Sequence, residues 1–164
     1  MKTSIWIKII FAIIVIYSAY WIINRTGENI TITKVTNESF QYEVLKLPIP
    51  AVVIFCTDEL WNRKSVPWSL EKPAPVILAI KEIMKEGRYK GRVRFLMYAV
   101  PEGSYNRITK SFSNDFLCKE LNIKWLPTVI IFKNSGIVKK LEGGGCTVEE
   151  SKRKIEQELR RILQ

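Results

Sequence analysis

Ile123-Lys124-Trp125-Leu126-Pro127-Thr128-Val129-Ile130-Ile131-Phe132-Lys133-Asn134-Ser135-Gly136 sets a proline at the head of a continuous apolar run and closes that run with turn-forming residues. The run Thr128 to Phe132 is rich in β-branched side chains without alternation, the pattern of a strand covered on both faces. A proline at its first position removes no interior ladder donor, so it is tolerated there. Ile137 to Leu141 resumes an apolar pattern directly after Asn134-Ser135-Gly136, and the two runs predict a β-hairpin.

Outward from this hairpin the chain alternates strands and helices. Ala51 to Phe55 is a second fully apolar run and Val93 to Val100 a third, both expected as buried strands. Ile30-Thr31-Ile32-Thr33 alternates as a strand, and Phe40, Val44 and Leu47 recur at helical spacing. Val76, Ile80, Ile83 and Met84 mark one face of a helix that Gly87 ends, and Phe116, Leu117 and Leu121 predict a shorter helix capped by Ser113 or Asn114. Thr147 and Glu150 form a capping-box pattern ahead of Ile155, Leu159, Ile162 and Leu163. The predicted order is β-α-β-α-β-α-β-β-α, an α/β class with a mixed sheet flanked by helices.

That order, with Pro127 at the head of a central strand and a Lys-Asn-Ser-Gly hairpin after it, resembles the thioredoxin family from about Lys34 to Leu163. Val35 to Phe40 resembles the start of the family's first helix, and Val52 to Phe55 the strand that leads to its active site. The resemblance implies a thioredoxin-like fold, a cis peptide bond at Pro127, and a groove beside that proline in which an extended peptide lies. It also implies a Cys-x-x-Cys pair at a helix N-terminus just after the strand, where backbone amides stabilise a thiolate. Here the chain reads Cys56-Thr57-Asp58-Glu59-Leu60-Trp61-Asn62-Arg63, and no Cys-x-x-Cys occurs anywhere in it. Exchange by an attacking thiol with a resolving partner two residues away therefore lacks its second sulfur.

The three cysteines are far apart in sequence. Cys56 sits one residue past a buried strand and Cys118 beside Leu117 in a short helix, positions where a thiol serves as a small apolar side chain. Cys146 follows Gly143-Gly144-Gly145 and precedes a helix, a setting that favours a thiolate. Cys56 and Cys146 are the candidate catalytic thiols if the protein is a thiol-disulfide oxidoreductase. A bridge between them would need the triple glycine to fold inward. The candidate partner-binding residues are Trp61 and Trp68, in the proline-rich stretch from Thr57 to Pro75, together with Trp125, Leu126 and Pro127; the equal alternative is that the stretch plugs the vacated site and packs its aromatics inward.

Ile5 to Ile23 is apolar apart from Lys8, long enough at about 1.5 Å per residue to cross a bilayer core, with Trp6 at one border and Tyr20 and Trp21 at the other. It predicts one N-terminal transmembrane helix, with a cleaved signal peptide and a buried core helix as the alternatives. The expected organisation is a short cytoplasmic N-terminus (1–4), a signal-anchor (5–23), a linker with the first strand (24–33) and a thioredoxin-like domain (34–164). Lys2 precedes the span, Lys8 lies near its start and Arg25, offset by Glu28, follows it, which favours a domain outside the cytoplasm.

With no histidine among 164 residues, Ser-His-Asp and Cys-His catalysis and histidine-containing zinc sites are excluded. No cofactor or metal is expected. Lys+Arg 26 against Asp+Glu 16 gives a formal charge of +10. The basic run Lys85, Arg88, Lys90, Arg92 and Arg94 carries no interleaved stacking aromatics beyond Tyr89, so nucleic acid is not an expected partner. A solvated turn, and after it attraction to anionic lipid heads, are the readings of that run. The functional expectation is a membrane-anchored thioredoxin-like protein without a catalytic dithiol that binds an extended segment of a client or assembly partner. The alternatives are the oxidoreductase and a structural subunit of a membrane complex.

Overall fold

Six apolar residues in succession, Ala51–Cys56, form the central strand β2, and each is buried because sheet neighbours flank it and helices cover both faces. The computed structural model describes residues 31–62, 74–101, 103–106, 111–112, 115–142 and 147–164. The other strands are β1 (Thr33–Val35), β3 (Arg94–Ala99), β4 (Tyr105–Asn106), β5 (Ser111–Phe112), β6 (Thr128–Lys133) and β7 (Gly136–Glu142). The helices are α1 (Asn37–Phe40), which continues as a π turn over Gln41–Leu45, α2 (Asp58–Asn62), α3 (Pro75–Glu86), α4 (Phe116–Glu120) and α5 (Val148–Leu163).

The main sheet has the order β1-β3-β2-β6-β7. β2 runs parallel to β3, which runs parallel to β1, while β6 is antiparallel to both β2 and β7. The Leu126-Pro127 peptide is cis. Mixed sheet, flanking helices and cis-proline together make the thioredoxin-like arrangement that the resemblance implied. Alternate residues of β2 serve opposite cores: Val52, Ile54 and Cys56 pack with Ile77, Ile80 and Ile155, whereas Val53 and Phe55 pack with Phe40, Tyr98 and Leu117. Phe40 meets Phe132 edge to face, with ring centroids 5.6 Å apart.

Helix ends follow their caps. Thr147 accepts a hydrogen bond from the Glu150 amide at the start of α5, as its sequence predicts. α3 has Pro75 in its first turn and ends at Gly87, whose φ of 65° a side chain resists. Gly87→Ala should lower the stability by about 1 kcal/mol in urea titration, from backbone strain alone, because no atom lies within 4 Å of the added methyl.

Several expectations are corrected. The first strand is Thr33–Val35 rather than Ile30 to Thr33, because hydrogen bonding to β3 begins at Thr33. Leu47 lies beyond the π turn that ends the first helix. Cys56 belongs to β2 instead of following it. The cap of α4 is Asp115, not Ser113 or Asn114, which lie outside the described residues. Phe116 faces solvent, since Leu117 and Cys118 take the inward positions of that single turn. The hairpin turn is Asn134-Ser135, at φ of 50° and 65°, and Gly136 already opens β7. The left-handed Ser135 is compensated by its hydroxyl, which donates to Leu45 O at 2.7 Å.

Among the described residues no helix is long and apolar enough to cross a membrane. The predicted span, 5–23, lies outside them.

Candidate functional site

The register brings three strand termini together. Phe55 of β2 faces Thr128 of β6, so one residue further Cys56 comes level with Pro127; Thr128 in turn faces Glu142 of β7. The ends of β2 and β7 and the start of β6 therefore share one end of the sheet. The Trp125-Leu126-Pro127 turn is fastened there by the Thr128 hydroxyl, which donates to Trp125 O at 2.6 Å. Along it Pro127 is buried, Leu126 half-buried and Trp125 41% exposed, an amphipathic ring presented to solvent on a fixed backbone.

After β2 the chain turns at Thr57 into the short helix α2. The Thr57 hydroxyl accepts from the Leu60 amide at 3.3 Å, and Asp58 pairs with Lys34 at 2.7 Å. Trp61 is only 5% exposed and packs in the core. Lys81 of α3 crosses its ring at 4.6 Å and donates to its carbonyl, which holds the end of α2 against α3. Burial lowers the Lys81 pKa from its usual value, with the Lys85 charge adding in the same direction.

Cys56 has no exposed surface. Burial, and then the negative charge of Asp58, push its thiol up from the ordinary 9.0 to about 12, and the cations Lys81 and Lys34 offset only part of this. A protonated, covered thiol is a poor nucleophile. Cys118 is equally covered on the opposite face of the sheet, and burial followed by the Asp115 charge raises its pKa as well.

Two of the expected site residues, Cys146 and Trp68, lie outside the described residues. Of the others, the structure brings Cys56, Trp125, Leu126 and Pro127 to one end of the sheet, and it turns Trp61 inward. Among the described residues no cluster of cysteine and carboxylate groups is placed to hold a metal ion.

Behind β3 lies a polar knot that the sequence reading missed. Asp115, 2% exposed, accepts from the Cys118 amide at 2.8 Å through Oδ1 and from the Tyr98 hydroxyl at 2.8 Å through Oδ2. The Asn37 side chain lies 3.0 Å from the same hydroxyl. A phenol has one proton, so Tyr98 donates to Asp115 and the Asn37 amide is oriented to donate to Tyr98. The signal was an aspartate directly before Phe116-Leu117-Cys118, which is a cap residue before an apolar turn. Lys81 gave no signal, because a lysine within a helix reads as solvated.

No protein-family profile matches the chain, and no curated protein matches it. Among solved structures it is similar to thioredoxin f2 of Chlamydomonas reinhardtii, at 20% sequence identity over 80% of this chain and 94% of that one, with a TM-score of 0.48.

Proposed function

We propose that this protein is a membrane-anchored binding module: its thioredoxin-like domain holds an extended segment of a protein client or assembly partner across the Trp125-Leu126-Pro127 turn, without dithiol chemistry. Residues 5–23 are its single span, and residues 34–164 stand on the outer side of the membrane. The observation that carries this reading is the pairing of an exposed Trp125 on a fastened cis-proline turn with a neighbouring thiol that is buried and protonated. The turn offers an aromatic anchor on a rigid platform, which limits the ordering cost of binding. Among the described residues the buried Cys56 leaves that edge without an accessible thiol, which weighs for binding over exchange.

The test is selection of displayed random peptides on the full chain in detergent, followed by affinity measurement against Trp125→Ala. Loss of the ring should weaken selected peptides by about tenfold or more, as for an aromatic hot spot. Peptides that bind the variant as tightly as the parent, or a failure to select any peptide, would overturn the reading.

A further inference from the structure

We infer that the end of the domain opposite cis-Pro127 docks on an anionic phospholipid surface; the inference rests on the reading of residues 5–23 as a membrane span. The turn between α3 and β3 runs through Gly87 and Gly91, both at positive φ, and displays Lys90, Arg92 and Arg94 to solvent. None of these three has a carboxylate within ion-pair distance among the described residues. Their neighbour Arg88 is instead engaged by Glu86 and Glu156.

The same end carries more than charge. β2 begins there at Ala51, opposite Arg94, and the π turn leading into it ends at Lys46, whose ammonium lies 4.4 Å from the centre of the Tyr42 ring. Tyr42 is 64% exposed, and Ile137, at the hairpin beside Lys133, is 51% exposed. An exposed tyrosine with its cation and an exposed isoleucine, set among unpaired lysine and arginine side chains, is the composition of a surface that meets the headgroup layer. Glu43, on the turn with Lys46, subtracts from the field. The acids of α5 near this end are already paired, Glu156 with Arg160 and Glu158 with Arg161.

Chain direction supplies the second argument. β1 runs parallel to β3 with Thr33 level with Leu96, so the chain enters the sheet from the end at which Arg94 begins β3. Residues 24–31, which connect that point to the end of the apolar stretch, can reach at most roughly 30 Å. The chain thus joins the sheet at its basic end and not at the Trp125 end. Attraction of cations to anionic lipid then fixes the orientation and leaves the cis-proline turn facing away.

The test uses the full chain in nanodiscs of phosphatidylcholine alone and of phosphatidylcholine with one-third phosphatidylglycerol, footprinted by lysine acetylation and peptide mass mapping. Acetylation of Lys90 and Lys46 should slow by about fivefold in the anionic discs and recover at high salt, while Lys124 beside the cis-proline turn reacts alike in both. Equal rates at Lys90 in the two discs, or equal protection of Lys90 and Lys124, would overturn the docking. A chain that does not stay with discs of either kind overturns the anchor reading instead. Its flotation with phosphatidylglycerol vesicles then decides the basic surface: salt-sensitive flotation supports it and none overturns it.

Discussion

Cys56 in the folded protein will react with iodoacetamide at pH 8 about a thousandfold more slowly than in the urea-unfolded chain, because its proton is held to about 12 rather than 9.0 and only the thiolate attacks. Burial adds an access barrier to that chemical one. Peptide mapping separates Cys56 from Cys118 and Cys146, so the result does not depend on the other thiols. Alkylation of Cys56 at the unfolded rate would show the strand end opening to solvent and would restore an exchange role. The same shift has a consequence for stability, with a definite sign. A thiol whose pKa is raised on folding contributes fully below the unfolded value, near pH 9, and that contribution is lost as the pH climbs toward the folded value. The loss for Cys56 is about 1.4 kcal/mol per pH unit over that interval. Cys118 and Tyr98, raised chiefly by burial, act in the same direction. The urea midpoint should fall between pH 8 and pH 10.5; a constant or rising midpoint would contradict the buried-thiol assignment.

Asp115→Ala should cost about 3 kcal/mol, on the order of 10 °C in melting temperature. It removes the cap of α4 and strips the Tyr98 hydroxyl of its acceptor in a site closed to water. Asp115→Asn, which keeps an oxygen for either partner, should recover about half of the loss in thermal melts. Equal stability of the alanine variant and the parent would mean that the knot holds nothing together.

Which parts of this could be read in advance follows from the range of the forces. β2, β3 and β6 were legible because covered strand positions must be apolar in succession, β7 because it resumes directly after the turn that closes β6, and α3 and α5 because their buried faces repeat at helical spacing between recognisable ends. The Asn134-Ser135 turn was legible for the same local reason, although glycine drew attention one residue too far. Asp115 was not, since Ser113, Asn114 and Asp115 are all competent caps, and the choice depends on Tyr98 arriving from β3. The direction of Trp61 was hidden as well. A tryptophan in a proline-rich stretch suits a binding rim, and only the packing of α2 against α3, with Lys81 laid across the ring, turns it inward. Pro127 as the head of a central strand was local information; that Cys56 comes level with it is a matter of register between distant segments.

The order of the sheet also sets the sequence of events during synthesis. β2 is made long before either neighbour: β3 ends at Ala99 and β6 at Lys133. At about 5–20 residues per second, Ala-Val-Val-Ile-Phe-Cys spends several seconds outside the ribosome or translocation pore with both backbone edges open. An uncharged β-rich segment without proline is the composition that self-associates. The most sheltered strand of the finished protein is thus its most exposed hazard in the nascent one, and a holdase acting on this chain would have its natural target there.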